Sequence, residues 1–596
     1  MLTKLAMTGF KNRWRDYLVL FSGLIMSSAI FYMFEALATN QEFLKQNSSI
    51  SMIGIIFQFG AVLLTIITLV YISYANSFLL SMRKRDYGLF MLVGARKGKI
   101  GQLIWLETLL VGISATIVGI ILGTALTAGI GKLLINTLDL TLHHFAFWHT
   151  PAAIATLLLY VGLFLLAGLF NLITLTKTPA LKLLHSNEQP NRPRLKPVRQ
   201  LIEIILGLIL VAIGYWAMAN LALLNITGIG LALVTIVLGT YFLFNAIFVW
   251  LMLFLKRLSA GQRGLNGFTL SQLSFRIRNY TKMLSIVAML FALALGAITV
   301  GMGFHAQTPL MANGNSAYDM GVVDANATEK RQIAKLKPVK KATYHFKADK
   351  KAVYYLASEF DQQPFTITEM TSQAQLDYHQ KALKSAALSK SHDLYQLMQL
   401  QTSDRQRTAP VFLSATAYAK LPQKEQQLTI FATKDLMANL DGLKDLATLR
   451  QQRDKGIAKG LLGGRYGSYK LVNGMYSGLE FMGLFLGIAF LAMLASCLMF
   501  KILSGADADQ HRYVMLDKIG ATQKQRRQAI NKEIAVLFVL PGIVGVIHVL
   551  FGLQMFKLMM IASPYSGIWL PFLIFAGLYL LYYLITINIY HRIVLR

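Results

Sequence analysis

The sequence predicts a polytopic α-helical membrane protein. Ten transmembrane helices form two related four-helix halves and a two-helix linker, with an α+β extracytoplasmic domain between helices 7 and 8. Three observations carry this prediction: the composition, ten apolar runs of bilayer length, and a motif that recurs at a constant offset. Of the 596 residues, 55% are hydrophobic and only 14% charged, and the mean hydropathy is +0.50. A soluble domain carries about 25% charged residues, so this chain belongs in a bilayer.

Runs of about 20 apolar residues, the length that crosses a hydrocarbon core as a helix, fall near 17–37, 52–75, 103–130, 151–173, 201–220, 226–255, 284–304, 477–500, 533–556 and 570–590. Ala36-Leu37-Ala38 resembles a signal-cleavage site, but the apolar stretch before it exceeds the roughly 7–15 residues of a signal core. The first run therefore reads as an uncleaved anchor. From about 306 to 476 the chain turns polar and reads as a solvated domain. The single cysteine, Cys497, lies in an apolar run, which excludes an intramolecular disulfide and a cysteine-based metal site.

The formal net charge is +30, yet the cations do not point to nucleic acid. They gather at the ends of apolar runs, where cytoplasmic loops collect Lys and Arg. Lys4, Lys11, Arg13 and Arg15 precede the first run, and Arg83, Lys84, Arg85, Arg96, Lys97 and Lys99 follow the second. Lys177, Arg192 and Lys196 follow the fourth, Arg263, Arg276 and Arg278 the sixth, and Lys501, Arg512, Lys518 and Arg526 the eighth. The opposite loops carry Lys45, Lys132 and Lys557 as almost their only cations. This alternation predicts cytoplasmic termini and an external 305–476 domain.

The segment RKRDYGLFMLVGARKGKIGQLIWLE after the second run aligns without gaps to DQHRYVMLDKIGATQKQRRQAINKE after the eighth. Tyr87, Gly94, Ala95, Gln102 and Glu107 meet Tyr513, Gly520, Ala521, Gln528 and Glu533 at a constant offset of 426 residues. A shorter match, Arg13-Trp14-Arg15-Asp16-Tyr17 with Arg276-Ile277-Arg278-Asn279-Tyr280, has an offset of 263. The two offsets differ by 163 residues, which is the length inserted between the first and second spans of the second repeat. The chain thus divides into a first half (1–174), linker helices (175–256), span seven (257–304), the inserted domain (305–476) and spans eight to ten (477–596). Parallel repeats imply pseudo-twofold packing about an axis along the membrane normal.

In each copy of the repeat an apolar stretch such as Tyr87-Gly88-Leu89-Phe90-Met91-Leu92-Val93 runs into Gly-Ala, where glycine can end a helix. A basic helix then leads into the next span. A short helix of this kind can lie flat below the bilayer and press its apolar face into a partner's groove. The other reading is an interfacial helix resting on anionic membrane lipids. Recurrence of the same order, apolar, Gly-Ala, basic, Glu, favours docking.

These residues resemble the FtsX-like permease family, whose signature is a basic, acidic-tinged helix, an L-x-x-x-G-A-type turn and a Glu opening the next span; here the elements are 85–107 and 511–533. Ten spans, a duplicated half and a domain between spans seven and eight resemble its bacitracin- and lantibiotic-resistance (BceB-type) branch. Four-span relatives place their domain after the first span and lack the duplication. The resemblance covers the chain in architecture and is sequence-specific at the two repeats. It implies a multi-pass protein of the bacterial cell membrane, in an ABC exporter-like complex where two copies of a separate ATPase subunit act on one permease. Arg85, Tyr87, Gly94, Ala95 and Glu107, with Arg512, Tyr513, Gly520, Ala521 and Glu533, are then the ATPase-coupling residues. It also implies resistance to cell-wall-targeting antimicrobial peptides by releasing them from lipid pyrophosphate targets, and signalling to a membrane histidine kinase. Asp86 supplies the acidic residue of the first helix, whereas its counterpart is Arg512, so the second docking site would use different pairs.

The chain has no G-x-x-x-x-G-K-[ST] phosphate loop; Gly94-Ala95-Arg96-Lys97-Gly98-Lys99 has the wrong spacing. ATP is therefore expected to be handled by a partner. No nucleophile, base and orienting acid cluster in any loop, so the chain reads as a non-catalytic subunit, and no motif calls for a cofactor. Two alternatives stay open: lipid or lipoprotein release by a related permease, and mechanical activation of an external wall hydrolase.

Residues 305–476 hold 24 Lys and Arg against 15 Asp and Glu, a net of +9. Such a domain attracts anions, so a lipid pyrophosphate or a peptide–lipid complex meets less repulsion than a cationic peptide alone. Solvated cations, or contact with anionic wall polymers, are the competing explanation. Residues 352–356 and 365–368 read as strands and 373–400 as helix, giving a compact α+β domain. Glu35 and Glu480 lie near outer span ends, Glu107 and Glu533 near inner ends, and Asn171, Asn245 and His548 farther in. Ionisable residues there are costly and often functional, although most of these sit within a turn of an interface. His143-His144 has no adjacent third metal ligand. Gly119-x-x-x-Gly123 and Gly483-x-x-x-Gly487 permit close helix packing.

Overall fold

The computed structural model describes residues 14–39, 48–82, 84–137, 148–176, 197–257, 265–372, 377–457, 462–560 and 562–595. Among these, ten helices are long and apolar enough to cross a membrane. The first half comprises α1 (Trp14–Thr39), α2 (Ser48–Met82), the short α3 (Lys84–Leu92), α4 (Lys97–Thr137) and α5 (Thr150–Thr176). A hairpin of α6 (Pro197–Ala219) and α7 (Leu221–Arg257) follows, and α8 (Asn266–His305) opens the second half. Helices are the form these sequences must take, because hydrocarbon offers no partner for an unpaired backbone group.

Packing reproduces the internal repeat in register. A methyl group on Gly119 of α4 would strike Ser28 of α1. A methyl group on Gly545, its counterpart at an offset of 426, would likewise strike Phe291 of α8, the counterpart of Ser28 at an offset of 263. The two halves meet through α1 and α2 on one side and the eighth span on the other, where Tyr71 Oη and Ser496 Oγ lie 2.7 Å apart. The halves differ inside. Ser27 Oγ lies 2.6 Å from both Thr68 Oγ1 and Tyr160 Oη, a buried knot of three spans; the counterparts of Ser27 and Thr68 are Leu290 and Leu494, both in the apolar core.

Beyond α8 come α9 (Thr308–Asn315) and β1 (Met320–Val323), then α10 (Ala327–Lys335), β2 (Lys340–Ala348), β3 (Ala352–Leu356), β4 (Phe365–Ser372), β5 (Asp377–Leu383), β6 (Ala409–Leu413), β7 (Gln426–Ala432) and α11 (Leu440–Gln451). The five-stranded sheet has the order β1-β7-β2-β3-β6, antiparallel except for β3 with β6, while β4 and β5 form a separate antiparallel pair. One sheet face buries Tyr344, Phe346, Tyr355 and Ile430 with Phe360. Part of the other is covered by α10 and α11, which bring Ile333, Leu443 and Leu446 onto Met320, Val322 and Phe431. Strands at 352–356 and 365–368 agree with the sequence reading. The helix expected over 373–400 does not form: 377–383 is β5, and only short helical turns follow from Ser385, with 373–376 outside the described residues.

The chain enters and leaves this domain through a neck. Asp319 Oδ1 accepts from Arg465 Nε at 2.6 Å, Asp319 Oδ2 accepts from the Thr433 amide at 2.5 Å, and Arg465 Nη2 donates to Thr433 O at 2.9 Å. The backbone zips the same place, with Arg465 N donating to Tyr318 O at 2.8 Å and Tyr466 N to Asp319 O at 3.1 Å. Gly464 adopts φ +82° there, a left-handed value that glycine accepts readily. From this point α12 (Gly464–Leu503) runs unbroken for 40 residues, about 60 Å at 1.5 Å per residue. It is succeeded by α13 (Ala506–Lys518), α14 (Gln523–Gly552) and α15 (Trp569–Val594).

The linker hairpin docks on the second half through His548 of α14. Its Nδ1 lies 2.7 Å from Tyr215 Oη on α6 and its Nε2 2.9 Å from Thr240 Oγ1 on α7. Phe551 stacks on Tyr215 at 3.9 Å between centroids. His548→Phe removes both bonds while keeping bulk, and is expected to destabilise the hairpin contact by about 1 kcal/mol. Thermal unfolding of the purified protein in micelles would read this as a lower Tm; an unchanged Tm counts against the staple.

Candidate functional site

The repeated segments fold as a matched pair of helix–turn–helix units. In the first, α3 ends at Gly94 with φ +97°; in the second, α13 ends at Gly520 with φ +96°. Gly94 N donates to Met91 O at 3.1 Å and Ala95 N to Phe90 O at 2.9 Å, while Gly520 N donates to Asp517 O at 2.9 Å and Ala521 N to Leu516 O at 3.0 Å. This is the Schellman pattern, in which a left-handed residue lets two amides turn back onto the last carbonyls of the helix. The Gly-Ala pair is thereby explained: glycine takes the left-handed position and alanine closes the longer bond.

A tyrosine and a glutamate brace each unit. Tyr87 Oη donates to Glu107 Oε2 at 3.4 Å and Tyr513 Oη to Glu533 Oε2 at 3.3 Å, all four residues being buried. The short helix is therefore fixed to the span that follows it. Tyr87 packs on Ile100 and Ile104, and Tyr513 lies edge-on to Phe268 of α8 at 6.1 Å. Met91, packed on the cluster containing Ile100, is replaced in the second unit by Asp517, whose Oδ1 pairs with Arg526 Nη2 at 2.6 Å; Arg526 is the counterpart of Ile100. One seam is apolar and the other ionic. The helix after the turn also starts differently, since Thr522 caps α14 in a reciprocal box with Gln525, which satisfies otherwise orphaned amides.

The tips of both units present apolar side chains outward. Val93 is 90% exposed and its counterpart Ile519 is 82% exposed, with Leu89 and Met515 about half exposed at the next equivalent position. Side chains of this kind in a basic loop mark an interaction surface more than a folding core. Arg512 is engaged within the chain: Nη1 reaches Gln272 Oε1 at 3.0 Å and Asp509 Oδ1 at 3.3 Å, and Asp509 Oδ2 accepts from Tyr590 Oη at 2.7 Å. It ties α13 to α8 and α15. The side chain of Arg85 lies outside the described residues.

Several polar residues within the described spans serve helix contacts. Glu480 Oε2 lies 2.8 Å from His305 Nδ1, joining α12 to α8 toward the ends that meet the inserted domain. Asn245 Nδ2 donates to Glu203 Oε2 at 2.7 Å across the linker hairpin, a partner for which the sequence carries no local signal. Gly483 and Gly487 let α12 approach Ala297 and Ile298 of α8, as Gly119 and Gly123 do for α4 on α1. His143-His144 and the side chain of Asn171 lie outside the described residues.

Comparison with known proteins agrees with this geometry. Residues 58–180, which contain the first helix–turn–helix unit, match the family model described as FtsX-like permease C-terminal. The chain is 20% identical over 662 residues to the ABC transporter permease YvcS of Bacillus subtilis (strain 168), covering 100% of this chain and 99% of the relative. It is 20% identical over 649 residues to the bacitracin export permease protein BceB of the same organism, again covering 100% and 99%. The ABC transporter permease protein YxdM, also from that organism, is 24% identical over 539 residues, 82% of this chain and 83% of the relative. With ten bilayer-length helices and the duplicated Gly-Ala units, these similarities make the chain a multi-pass ABC transporter permease built on the FtsX-like permease domain, and so one that works with an ATPase partner.

Proposed function

We propose that this permease couples ATP hydrolysis by two copies of a separate ATPase to resistance against, and sensing of, cell-wall-targeting antimicrobial peptides of the bacitracin or lantibiotic type. The observation that carries the ATPase part is the pair of equivalent outward apolar tips, Val93 and Ile519, on units braced to α4 and α14. Each tip seats in one ATPase copy, and closure of the two copies drives both units together. The peptide part is supported by end-to-end similarity to a relative described as a bacitracin export permease and by the net charge of +9 on the inserted domain. That charge favours a peptide held on a lipid pyrophosphate, from which the complex releases it. A membrane histidine kinase receives the signal of drug load.

Transmission follows from α12. One uninterrupted helix joins the neck at Arg465 to the loop before α13, so movement delivered to the α13 end of α12 tilts the inserted domain with no break inside that helix. The proposed orientation puts both termini and the coupling units in the cytoplasm and the sheet domain outside the bacterial cell membrane. Tags at the termini and in the 174–200 and 256–283 loops should be protected in intact cells, with a tag near Lys390 accessible; surface labelling of the 174–200 loop would overturn this topology. The functional reading is tested by a deletion strain exposed to bacitracin, lantibiotics and defensin-like peptides. At least one class should become several-fold more inhibitory, with recovery on complementation; unchanged sensitivity to all three rejects it.

A further inference from the structure

The two coupling units share a backbone but not a surface. On the first, the exposed apolar side chains toward the end of α3 are Leu89, Phe90, Leu92 and Val93. Their counterparts on α13 are Met515, Leu516, Lys518 and Ile519. Leu516 packs against the core of the second half, and an exposed Lys518 puts a cation where Leu92 is 65% exposed. Val514 returns one exposed apolar side chain, opposite Gly88. Behind the turn the contrast reverses. The first unit presents Arg96 and Lys99, both exposed; the second has Thr522 and Gln525 there, uncharged and bonded to each other in the cap of α14. One unit is thus an apolar tip backed by cations. The other is a mixed tip, with Asp517 paired to Arg526 and Lys518 beside Ile519, on a neutral, self-capped base.

We propose that the permease loads its two ATPase copies in unequal steps, the first unit holding one copy tightly and the second unit holding the other weakly enough to exchange. The inference rests on the reading that each tip seats in one of two copies of a single ATPase, and not on the peptide-resistance reading. Two copies of one ATPase bring the same groove to both units, and one groove cannot match both surfaces. A groove that takes Leu92 beside Val93 must desolvate the ammonium of Lys518 at the same place in the other copy. Rim charge complementary to Arg96 and Lys99 finds nothing to meet at Thr522 and Gln525. Both differences lower the affinity of the second unit. A permease carrying one copy gives that copy nothing to close on, so occupancy of the second unit sets how many complexes work.

The test is native mass spectrometry of the full-length, nucleotide-free permease in micelles, titrated with the ATPase that co-purifies with it. At one ATPase per permease the singly loaded complex should exceed half of the permease, the most that two equal independent sites allow. Val93→Asp should remove most of that singly loaded species, whereas Ile519→Asp should keep it and remove only the doubly loaded complex. Leu92→Lys should weaken the first step about tenfold, and Lys518→Leu should strengthen the second by a similar factor. All four side chains are exposed, and a melting curve matching the parent separates lost docking from lost folding. A singly loaded share of half or less, equal weakening by the two aspartate variants, or a second step weakened by Lys518→Leu each overturns the inequality while leaving the docking reading in place. Full loading of both aspartate variants overturns the docking reading itself, and this proposal with it.

Discussion

The Gly94→Val, Gly520→Val double variant is expected to insert normally yet lose most of its ATPase co-purification. Both glycines hold φ near +97°, where an L side chain crowds the following carbonyl at about 1–2 kcal/mol, more for a β-branched residue. An added Cβ at either glycine meets nothing within 4 Å, so the penalty is one of backbone and not of packing. The two glycines lie 426 residues apart in separate units, and penalties at distant, independent sites add. A combined loss of about 2–4 kcal/mol unwinds the Schellman ends and redirects Val93 and Ile519, the two outward tips. Tenfold or greater loss in pull-down is therefore expected, at unchanged membrane abundance. Asparagine tolerates the left-handed region, so the Gly94→Asn, Gly520→Asn protein should keep most of its ATPase. If valine and asparagine abolish capture equally, the glycines matter through direct contact with the partner and not through the turn.

The spans and the duplicated unit were legible because both are local. Hydropathy alone marks a helix that must satisfy its own backbone in hydrocarbon, and a constant offset between Tyr87 to Glu107 and Tyr513 to Glu533 implies that whatever one copy does, the other repeats. The turn at Gly94 was legible for the same reason. What joins distant elements was not. His548 reads as a buried ionisable residue, but nothing in its own helix names Tyr215 or Thr240, more than 300 residues away. The neck pair Asp319 and Arg465 is separated by 146 residues and sits in segments with no repeat to flag them. The failed helix over 373–400 shows the limit of propensity. Its Ala, Leu, Lys and Gln favour helix, yet 377–383 pairs antiparallel with 365–372, with one register shift between Met370 and Ser372, and Tyr378 closes against Gly314 of α9. Tertiary pairing overrides so weak a local preference.

Arg465→Met is expected to disconnect the inserted domain while leaving the coupling units intact. Asp319 is fully buried and Arg465 nearly so, and the arginine is what offsets the desolvated carboxylate. Breaking a buried pair by removing one partner destabilises by about 3–5 kcal/mol, because the remaining charge is uncompensated. Here the loss falls on the neck: Thr433 loses the guanidinium at its carbonyl, and the zipper between Tyr318 and Tyr466 loses its side-chain lock. Limited proteolysis of the purified protein should cut the 318–465 region many times faster. ATPase co-purification should persist, since α3 and α13 are tied to α4, α8, α14 and α15 by bonds that do not involve the neck. The Asp319→Asn, Arg465→Met double variant removes both charges and should regain most of the protease resistance, as apolar replacement of a whole buried pair is often neutral. Protection against peptides then separates two roles for the neck. If the double variant is protease-resistant but unprotective, the salt bridge is needed to carry movement from α12 into the domain. Should Arg465→Met alone retain full protease resistance and full protection, the neck is not the link between domain and membrane, and transmission through α12 must be abandoned.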